Sequence, residues 1–260
     1  MASKETPNYI TGPRGGRIAY HKVEGEGPAV VFLGGLMSDM GGTKALYLDE
    51  WALESGRAFL RFDYSGHGAS DEAFTDGTIG AWAADARHAI ETLTDGPQIL
   101  VGSSMGGWIS SLLIRAIPER IAGFVGIAAA PDFTEDSMWA QFSDNQKAAL
   151  ETKGVVHLPS DYGDPYPITK AFIEDGRDQL VLRSPLKSNF PVRLLQGSDD
   201  TDVLPEVAQR LFDHIEGDDV RLTIVKGSDH RFSNPTELGL IRKAIHSVTQ
   251  AINLSNEGQG

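Results

Sequence analysis

Short hydrophobic runs alternate along the chain with segments whose apolar residues recur at helical spacing. Residues 29–33 and 99–101 are continuously apolar, which is typical of strands covered on both faces. Strands are predicted over residues 8–11, 17–23, 29–33, 58–62, 99–101, 121–129, 192–196 and 220–225. Helices are predicted over residues 43–55, 78–93, 106–117, 205–215 and 235–252, with a frayed tail over 253–260. This alternation predicts an α/β fold, with a mostly parallel central sheet and helices on both faces.

The alternation stops at Pro131 and resumes only after about residue 189. No strand is predicted in this segment, which instead contains helical pieces with large apolar side chains among acidic residues. These side chains are Phe133, Met138, Trp139, Phe142, Tyr162, Tyr166 and Phe172. A long insert within an α/β repeat is typical of a lid over a functional site. The alternative is that these side chains form only the small core of the insert itself.

Composition narrows the class of protein. The chain has 260 residues, of which 40% are hydrophobic, and this is enough for one substantial core. The sequence has no apolar run long enough to span a membrane, so no membrane insertion is expected. The first residues lack the pattern of a signal or transit peptide, and this favours a cytoplasmic location. The net charge of −13 would repel phosphate backbones, so no nucleic-acid partner is expected.

One junction between a predicted strand and a predicted helix carries candidate chemistry. The strand 99–101 is followed by Gly102-Ser103-Ser104-Met105-Gly106, and then by the helix. A strand, a sharp Gly-x-Ser-x-Gly turn and a helix form the context of a nucleophile elbow, with Ser104 as the nucleophile. Because the chain has 29 glycines, the five-letter pattern also arises readily by chance. The alternative is a glycine-rich connection in which Ser104 caps the helix.

A serine hydroxyl needs a base to accept its proton, and the base needs a third group to orient it. The strand 192–196 runs into a loop with three aspartates, Asp199, Asp200 and Asp202, and the last strand runs into His230. The chain order serine, aspartate, histidine is one of the known orders of catalytic triads. From the residues alone, the choice among the three aspartates stays open. The sequence has no cysteine, phosphate-binding loop, dinucleotide fingerprint or metal-ligand spacing, so no cofactor and no metal are expected.

Four blocks carry a resemblance to a known family. They are residues 37–45, 61–66, 96–108 and 228–231, which run from the first third of the chain to its last quarter. The chain resembles the α/β-hydrolases and, more narrowly, the group called alpha/beta hydrolase domain-containing ten. That group contains mitochondrial acyl-protein thioesterases that also hydrolyse acyl glucuronides. The resemblance implies a single α/β-hydrolase domain over residues 1–260, with a lid insert at about 131–189.

The resemblance also implies roles for particular residues. Asp200 lies in a Gly197-x-x-Asp200-x-x-Val203 run, which is similar to the run that carries the acid in this superfamily. The backbone N–H groups of Met105 and Leu36 are expected to form the oxyanion hole. The chain departs from the family pattern at Gly34, where proline or histidine is usual, and at Gln196, where histidine is usual. An alternative for Gly34 and its neighbour Gly35 is a flexible turn without a catalytic role.

The expected activity is that of a serine esterase or acyl-protein thioesterase, which passes through an acyl-enzyme. The expected partner is a small acyl ester or thioester, or an acylated protein. Two alternatives are a hydrolase of carbon–carbon bonds in diketones, which uses the same triad, and a hydrolase-fold receptor without turnover. If the apolar residues of the insert line the site, medium or long acyl chains should be preferred. The acidic residues of the insert are expected at its rim, where they would repel strongly anionic leaving groups.

Overall fold

The computed structural model of the protein describes residues 6–159 and 165–257. Up to the insert, the elements are β1 (Asn8–Thr11), β2 (Arg17–Val23), β3 (Glu26–Leu33), α1 (Thr43–Ser55), β4 (Arg57–Phe62), α2 (Ile79–Leu93), β5 (Gln98–Ser103), α3 (Met105–Ala116) and β6 (Ile121–Ile127). Within the insert they are a π-helical segment (Thr134–Trp139), α4 (Asp144–Lys153), β7 (Val155–Leu158), β8 (Tyr166–Thr169), α5 (Lys170–Asp178) and β9 (Leu186–Lys187). After it come β10 (Val192–Gly197), α6 (Pro205–His214), β11 (Ile215–Glu216), β12 (Val220–Val225) and α7 (Pro235–Glu257).

The central sheet has eight strands in the order β1-β2-β4-β3-β5-β6-β10-β12. The pairs β1–β2 and β2–β4 are antiparallel, whereas every pair from β4 to β12 is parallel. This confirms the predicted fold class. Since parallel strands end at the same edge of the sheet, the loops after β3, β5, β10 and β12 lie together, and these loops carry the candidate site residues.

Two hydrophobic clusters cover the two faces of the sheet, which explains the continuous apolar runs. In β3, Val31 and Leu33 pack on the side of α2 and α3, whereas Val30 and Phe32 pack on the side of α1 and α7. Residues that alternate along a strand point to opposite faces, so a strand that is buried on both faces needs apolar residues at every position.

Most predicted elements are present, with changes at their ends. Helix α1 spans the predicted residues and ends at Gly56, whose φ of 65° is the left-handed conformation of a C-cap. The prediction of a frayed tail from Asn253 is wrong as far as Glu257, because α7 continues to that residue. After Gly239 in its second turn, the helix meets no further glycine or proline up to residue 257.

The insert contains strands, so the prediction that residues 131–189 have none is wrong. Strands β7 and β8 pair in an antiparallel hairpin, and the two-residue β9 pairs with β11. Each strand of the hairpin has four residues, which is too short for an alternating pattern to stand out, and Val156 and Ile168 are its buried positions. The predicted lining residue Tyr162 lies outside the described residues. Among the residues described, no helix combines the length and the apolar character needed to cross a membrane.

Candidate active site

Ser104 lies at the turn between β5 and α3, in a backbone conformation that is rare for a residue with a side chain. Its φ is 53° and its ψ is −118°. Its side chain makes no capping hydrogen bond to α3, so the alternative of a helix-capping serine is wrong. A Cβ atom at Gly102 would overlap the carbonyl of Gly106, and one at Gly106 would overlap the carbonyl of Leu33. The glycines therefore allow a turn so tight that the serine hydroxyl projects from the edge of the sheet.

A chain of hydrogen bonds joins the three predicted residues. His230 Nε2 lies 3.1 Å from Ser104 Oγ, and His230 Nδ1 lies 2.9 Å from Asp200 Oδ2. Asp200 is 2% exposed, and its Oδ1 accepts the backbone N–H groups of Asp202 and Val203 at 3.0 and 2.8 Å. The structure therefore brings together Ser104, Asp200 and His230, which lie on three different loops.

The geometry also distinguishes among the three aspartates of the loop after β10. Asp200 is the one that is hydrogen-bonded to His230. Asp199 accepts a hydrogen bond from Ser198 Oγ at 2.7 Å, and the Asp202 side chain is exposed. Burial by itself raises the pKa of Asp200, but hydrogen bonds from His230, Val203 N–H and the Gln196 amide outweigh it and hold that pKa below its ordinary value. A charged carboxylate is the form that can orient a histidine.

Gln196 is a site residue that the sequence did not predict. In the sequence it stands out only as a departure from the family pattern. It lies in β10 with no exposed surface, and its Nε2 donates to Asp200 Oδ2 at 2.9 Å. The sequence did offer one sign of this role, because Gln196 directly precedes the loop that carries Asp200. A buried amide in a strand has many structural uses, so the sequence did not indicate this contact.

The two predicted oxyanion donors flank Ser104. Met105 is the first residue of α3, so its N–H has no partner within the helix. Leu36 follows Gly35, whose α-carbon approaches the nucleophile so closely that a Cβ atom there would lie 3.4 Å from Ser104 Cβ. Leu36 N–H makes no hydrogen bond among the residues that the structure describes. Both N–H groups are therefore without a protein partner in the part of the chain that the structure describes.

The turn after β4, residues 63–70, holds the loop that carries Leu36. His67 Nε2 accepts the N–H of Met37 at 3.2 Å, and Asp63 Oδ1 accepts the N–H of Met40 at 2.6 Å. Burial lowers the pKa of His67, and this favours the neutral ring that is required to accept a hydrogen bond at Nε2. The glycine-rich loop is thereby fixed at two points by buried side chains.

A cavity of about 560 Å³ opens beside Ser104 and His230. The insert contributes Phe133, Met138 and Tyr166 to its apolar wall, and Leu36, Met37 and Val203 belong to the wall on the side of the sheet. This volume lies within the range of ligand pockets in proteins.

The other apolar residues of the insert have different surroundings. The Trp139 ring lies 4.5 Å from the Arg177 guanidinium and 5.2 Å from Lys147 Nζ. Phe142 is buried, and Phe172 packs against Trp82 with 5.6 Å between ring centroids. Some of these residues therefore line the cavity, whereas Phe142 and Phe172 belong to the hydrophobic cluster on the α2 and α3 side of the sheet and not to a separate core of the insert.

The acidic rim expected from the insert stays a prediction, because Asp161 and Asp164 of the insert lie outside the described residues. Among the described residues, no acid of the insert lines the cavity. The charged residues that line it, within the described ranges, come from the loops at the edge of the sheet and from the start of α1. They are Asp39, Lys44, Asp202 and Arg231. Two acids of the insert form ion pairs away from the cavity lining: Glu135 pairs with Arg177 at 2.7 Å, and Asp136 pairs with Arg183 and Arg210. The cavity thus presents charges of both signs.

Lys44 ties the start of α1 to the loop of His230. Its Nζ donates to the carbonyl of Arg231 at 2.5 Å, and burial lowers its pKa to about 8. This contact joins the loop after β3 to the loop after β12, which are far apart in sequence.

One grouping in the described part of the chain has the ligand atoms for a metal ion. It consists of Asp200, Asp202 and His230, whose ligand atoms lie within 4.8 Å of one another. The hydrogen bonds already occupy both oxygens of Asp200 and both nitrogens of His230, so this grouping is better explained as part of the hydrogen-bonded chain.

The fold and the nucleophile turn define a class of protein. Residues 28–170 match the family model described as alpha/beta hydrolase fold, and the chain belongs to this family. The palmitoyl-protein thioesterase ABHD10, mitochondrial, of Pongo abelii is 37% identical over 94% of this chain and 80% of its own length. The solved structure of mouse alpha/beta hydrolase domain-containing protein 10 has a TM-score of 0.85 at 32% identity, over 94% of this chain and 98% of that one. A solved structure from Agrobacterium vitis S4 has a TM-score of 0.90 at 39% identity, with the same coverage. Within the family, the chain therefore belongs with the ABHD10 group.

Proposed function

We propose that this protein hydrolyses ester and thioester bonds of acyl groups, with Ser104 as nucleophile, His230 as base and Asp200 as the acid that orients it. The observation that carries the proposal is the hydrogen-bonded chain from Asp200 through His230 to Ser104, beside a cavity with an apolar wall. The names of the ABHD10 relatives, palmitoyl-protein thioesterases, support the same class of reaction.

The proposed reaction proceeds in two halves. In the first, Ser104 Oγ attacks the acyl carbonyl while His230 Nε2 takes its proton, and His230 then gives that proton to the departing alcohol or thiol. The acyl group is left on Ser104. In the second half, His230 Nε2 takes a proton from water while the water oxygen attacks the acyl carbonyl. The bond between that carbonyl carbon and Ser104 Oγ then breaks, His230 returns the proton to Ser104 Oγ, and the free acid leaves. Asp200 keeps the proton of neutral His230 on Nδ1, so that Nε2 can act as the base.

The oxyanion of each tetrahedral intermediate would be held by the N–H groups of Leu36 and Met105. The N-terminus of α3 adds a favourable partial positive charge beside Met105. The contact between His67 and Met37 N–H supports this role, because it fixes the peptide that follows Leu36.

Residues 131–189 act in this proposal as a lid whose apolar residues receive the acyl chain. Phe133, Met138 and Tyr166 supply an apolar wall from the insert, and this favours acyl groups of medium or long chain. Acylated proteins belong to the candidate substrates together with small acyl esters. The cytoplasmic location stays a prediction, and the ABHD10 relatives carry the word mitochondrial in their names.

The test compares two adjacent serines. Ser104→Ala should lower kcat/KM on acyl thioesters by about a thousandfold or more, because it removes the nucleophile and leaves the backbone turn in place. Ser103→Ala is the matched control and should retain most of the activity. If Ser103→Ala is instead the inactive variant, the assignment of the nucleophile is wrong.

The substrate panel should contain p-nitrophenyl esters, acyl thioesters and acyl glucuronides, measured on one enzyme preparation. A diketone belongs in the same panel, since a carbon–carbon hydrolase would use the same three residues. Turnover of the diketone alone would contradict the proposed bond class. Absence of turnover on every member would contradict the proposal as a whole.

A further inference from the structure

The side chain of Gln196 is fully enclosed behind the proposed catalytic acid. Its Nε2 donates to Asp200 Oδ2 at 2.9 Å and to the carbonyl of Val203 at 2.9 Å. A longer contact of 3.3 Å reaches the carbonyl of Gly197. Its Oε1 is buried without a hydrogen-bond partner within the described residues. Burying an acceptor without a hydrogen-bond partner costs folding free energy. We therefore expect the NH₂ group of the same amide to have a role that offsets this cost.

The chemistry of the neighbours determines the orientation of the amide. Rotation of the amide by 180° would place Oε1 against Asp200 Oδ2 and the carbonyl of Val203, which are both acceptors. Each of these contacts would then be repulsive. Gln196 must therefore present its NH₂ group to the carboxylate, and the loop after β10 closes around this group because Val203 lies within that loop.

Gln196 and His230 bind the same oxygen. Asp200 Oδ2 accepts from Gln196 Nε2 and lies 2.9 Å from His230 Nδ1, whereas Oδ1 accepts the two backbone N–H groups of the loop. A donor on a carboxylate oxygen reduces the negative charge available to other donors on that oxygen. The amide thus fixes the oxygen in place and also moderates its attraction for the imidazole proton.

We propose that Gln196 is a positioning residue, whose amide fixes Asp200 Oδ2 toward His230 and moderates how strongly the carboxylate stabilises the protonated imidazole. This inference rests on the proposed function of the same site. Without the amide, the carboxylate would attract the proton of His230 more strongly. His230 would then stay protonated, and inactive as a base, up to a higher pH.

Other charged groups around the pair contribute separately. Asp202 has its carboxylate within 4.8 Å of the ligand atoms of Asp200 and His230, but its side chain is exposed and its field is screened by water. Asp229 accepts the N–H of Phe232 at 3.3 Å, and Lys44 from α1 donates to the carbonyl of Arg231. Of the residues described here, Gln196 is the one with a side-chain donor on Asp200 besides His230.

The test replaces the amide by an apolar side chain of similar length. In Gln196→Met, the acid limb of the pH profile of kcat/KM should move upward by about half a unit to one unit, because the carboxylate loses a donor. The kcat on the plateau should fall by about tenfold, with little change in KM. Gln196→His keeps a ring N–H, and its acid limb should lie closer to that of the wild type.

The chain offers a matched control. Gln98, at the start of β5, is also fully buried, donates to two backbone carbonyls at 2.6 and 2.7 Å, and has an Oε1 without a partner. Since it lies at the other end of its strand from Ser104, Gln98→Met should lower thermal stability and leave the acid limb in place. If Gln196→Met lowers the plateau without moving the limb, or moves the limb downward, Gln196 is only a structural residue and the inference is wrong.

A second measurement separates this inference from the proposed function. The rate at which a fluorophosphonate labels Ser104 reports the same base and depends on no particular substrate. If the wild type is labelled at Ser104 but Gln196→Met shows an unshifted pH profile, only the inference fails. If the wild type is not labelled at Ser104, both fail. If Gln196→Met does not fold, Gln196→Asn withdraws the donor from Asp200 with a shorter amide, and the same shift is expected.

Discussion

His230 lies between a buried carboxylate and a half-buried hydroxyl, so the position of one proton on its ring determines whether Ser104 can be activated. Asp200 accepts at Oδ2 from Nδ1, and this leaves Nε2 as the acceptor that faces Ser104 Oγ. The backbone of the loop after β10 satisfies the other oxygen of Asp200. Asp199 and Asp202, the other aspartates of this loop, lack this combination of burial and a hydrogen bond to His230.

Three amide variants test this account of the acid. Asp200→Asn should lower kcat/KM by about a thousandfold or more, since an amide NH₂ beside Nδ1 favours the wrong tautomer of the imidazole. Asp199→Asn and Asp202→Asn are isosteric controls in the same loop and should each cost less than about tenfold. The measurement is kcat/KM on one acyl thioester, with thermal unfolding as the check on folding. Equal losses in all three variants would contradict the assignment of Asp200.

The positions of these residues were predictable to different degrees. Ser104 follows a continuous apolar run, and His230 follows the alternating strand Val220–Val225, so the predicted topology places both at one edge of the sheet. The choice of Asp200 needed the family resemblance, because a pattern based on spacing cannot distinguish three aspartates in one short loop. The role of Gln196 depends on a side-chain contact inside the core, and hydrophobic patterning says nothing about such contacts.

At the scale of elements, the insert combines two packing roles that its sequence does not separate. Met138 and Trp139 are neighbours in the π-helical segment, yet Met138 lines the cavity and Trp139 packs against the cationic side chains of Arg177 and Lys147. The strands β7 and β8 were missed because each is short and is stabilised mainly by the other. Periodicity identifies an element only when the element is long enough to repeat its pattern.

The wall of the cavity should select for chain length. Each methylene buried there contributes about 0.8 kcal/mol, so kcat/KM should rise severalfold as the acyl chain lengthens by a few carbons. Met138→Ala should lower kcat/KM by about tenfold for long chains and have little effect on acetyl substrates. The measurement is a chain-length series on one leaving group.

Trp139→Ala is the control for this series, since it removes a large side chain of the insert that does not line the cavity. It should affect short and long chains equally. A flat profile for the wild type, or equal profiles for Met138→Ala and Trp139→Ala, would show that the insert does not hold the acyl chain.

At the scale of the whole molecule, the sheet brings together the ends of four strands that are distant in sequence. The loops after β3, β5, β10 and β12 supply Leu36, Ser104, Asp200 and His230, and further contacts hold these loops to one another. Lys44 joins the loop after β3 to the loop after β12 through its contact with Arg231. His67 fixes the loop of Leu36 by accepting the N–H of Met37. Although the chain has a net charge of −13, the described residues that line the cavity include Lys44 and Arg231 as well as Asp39 and Asp202.

In the proposed reaction, Ser104 is the residue that becomes covalently acylated during turnover. The most direct measurement is mass spectrometry of the wild-type protein after reaction with a fluorophosphonate, compared with Ser104→Ala, together with thioester hydrolysis by the same two preparations. We expect one adduct, on the peptide that contains Ser104, and the loss of both adduct and hydrolysis in Ser104→Ala. An adduct on another residue, or thioester hydrolysis that persists in Ser104→Ala, would contradict the proposed reaction.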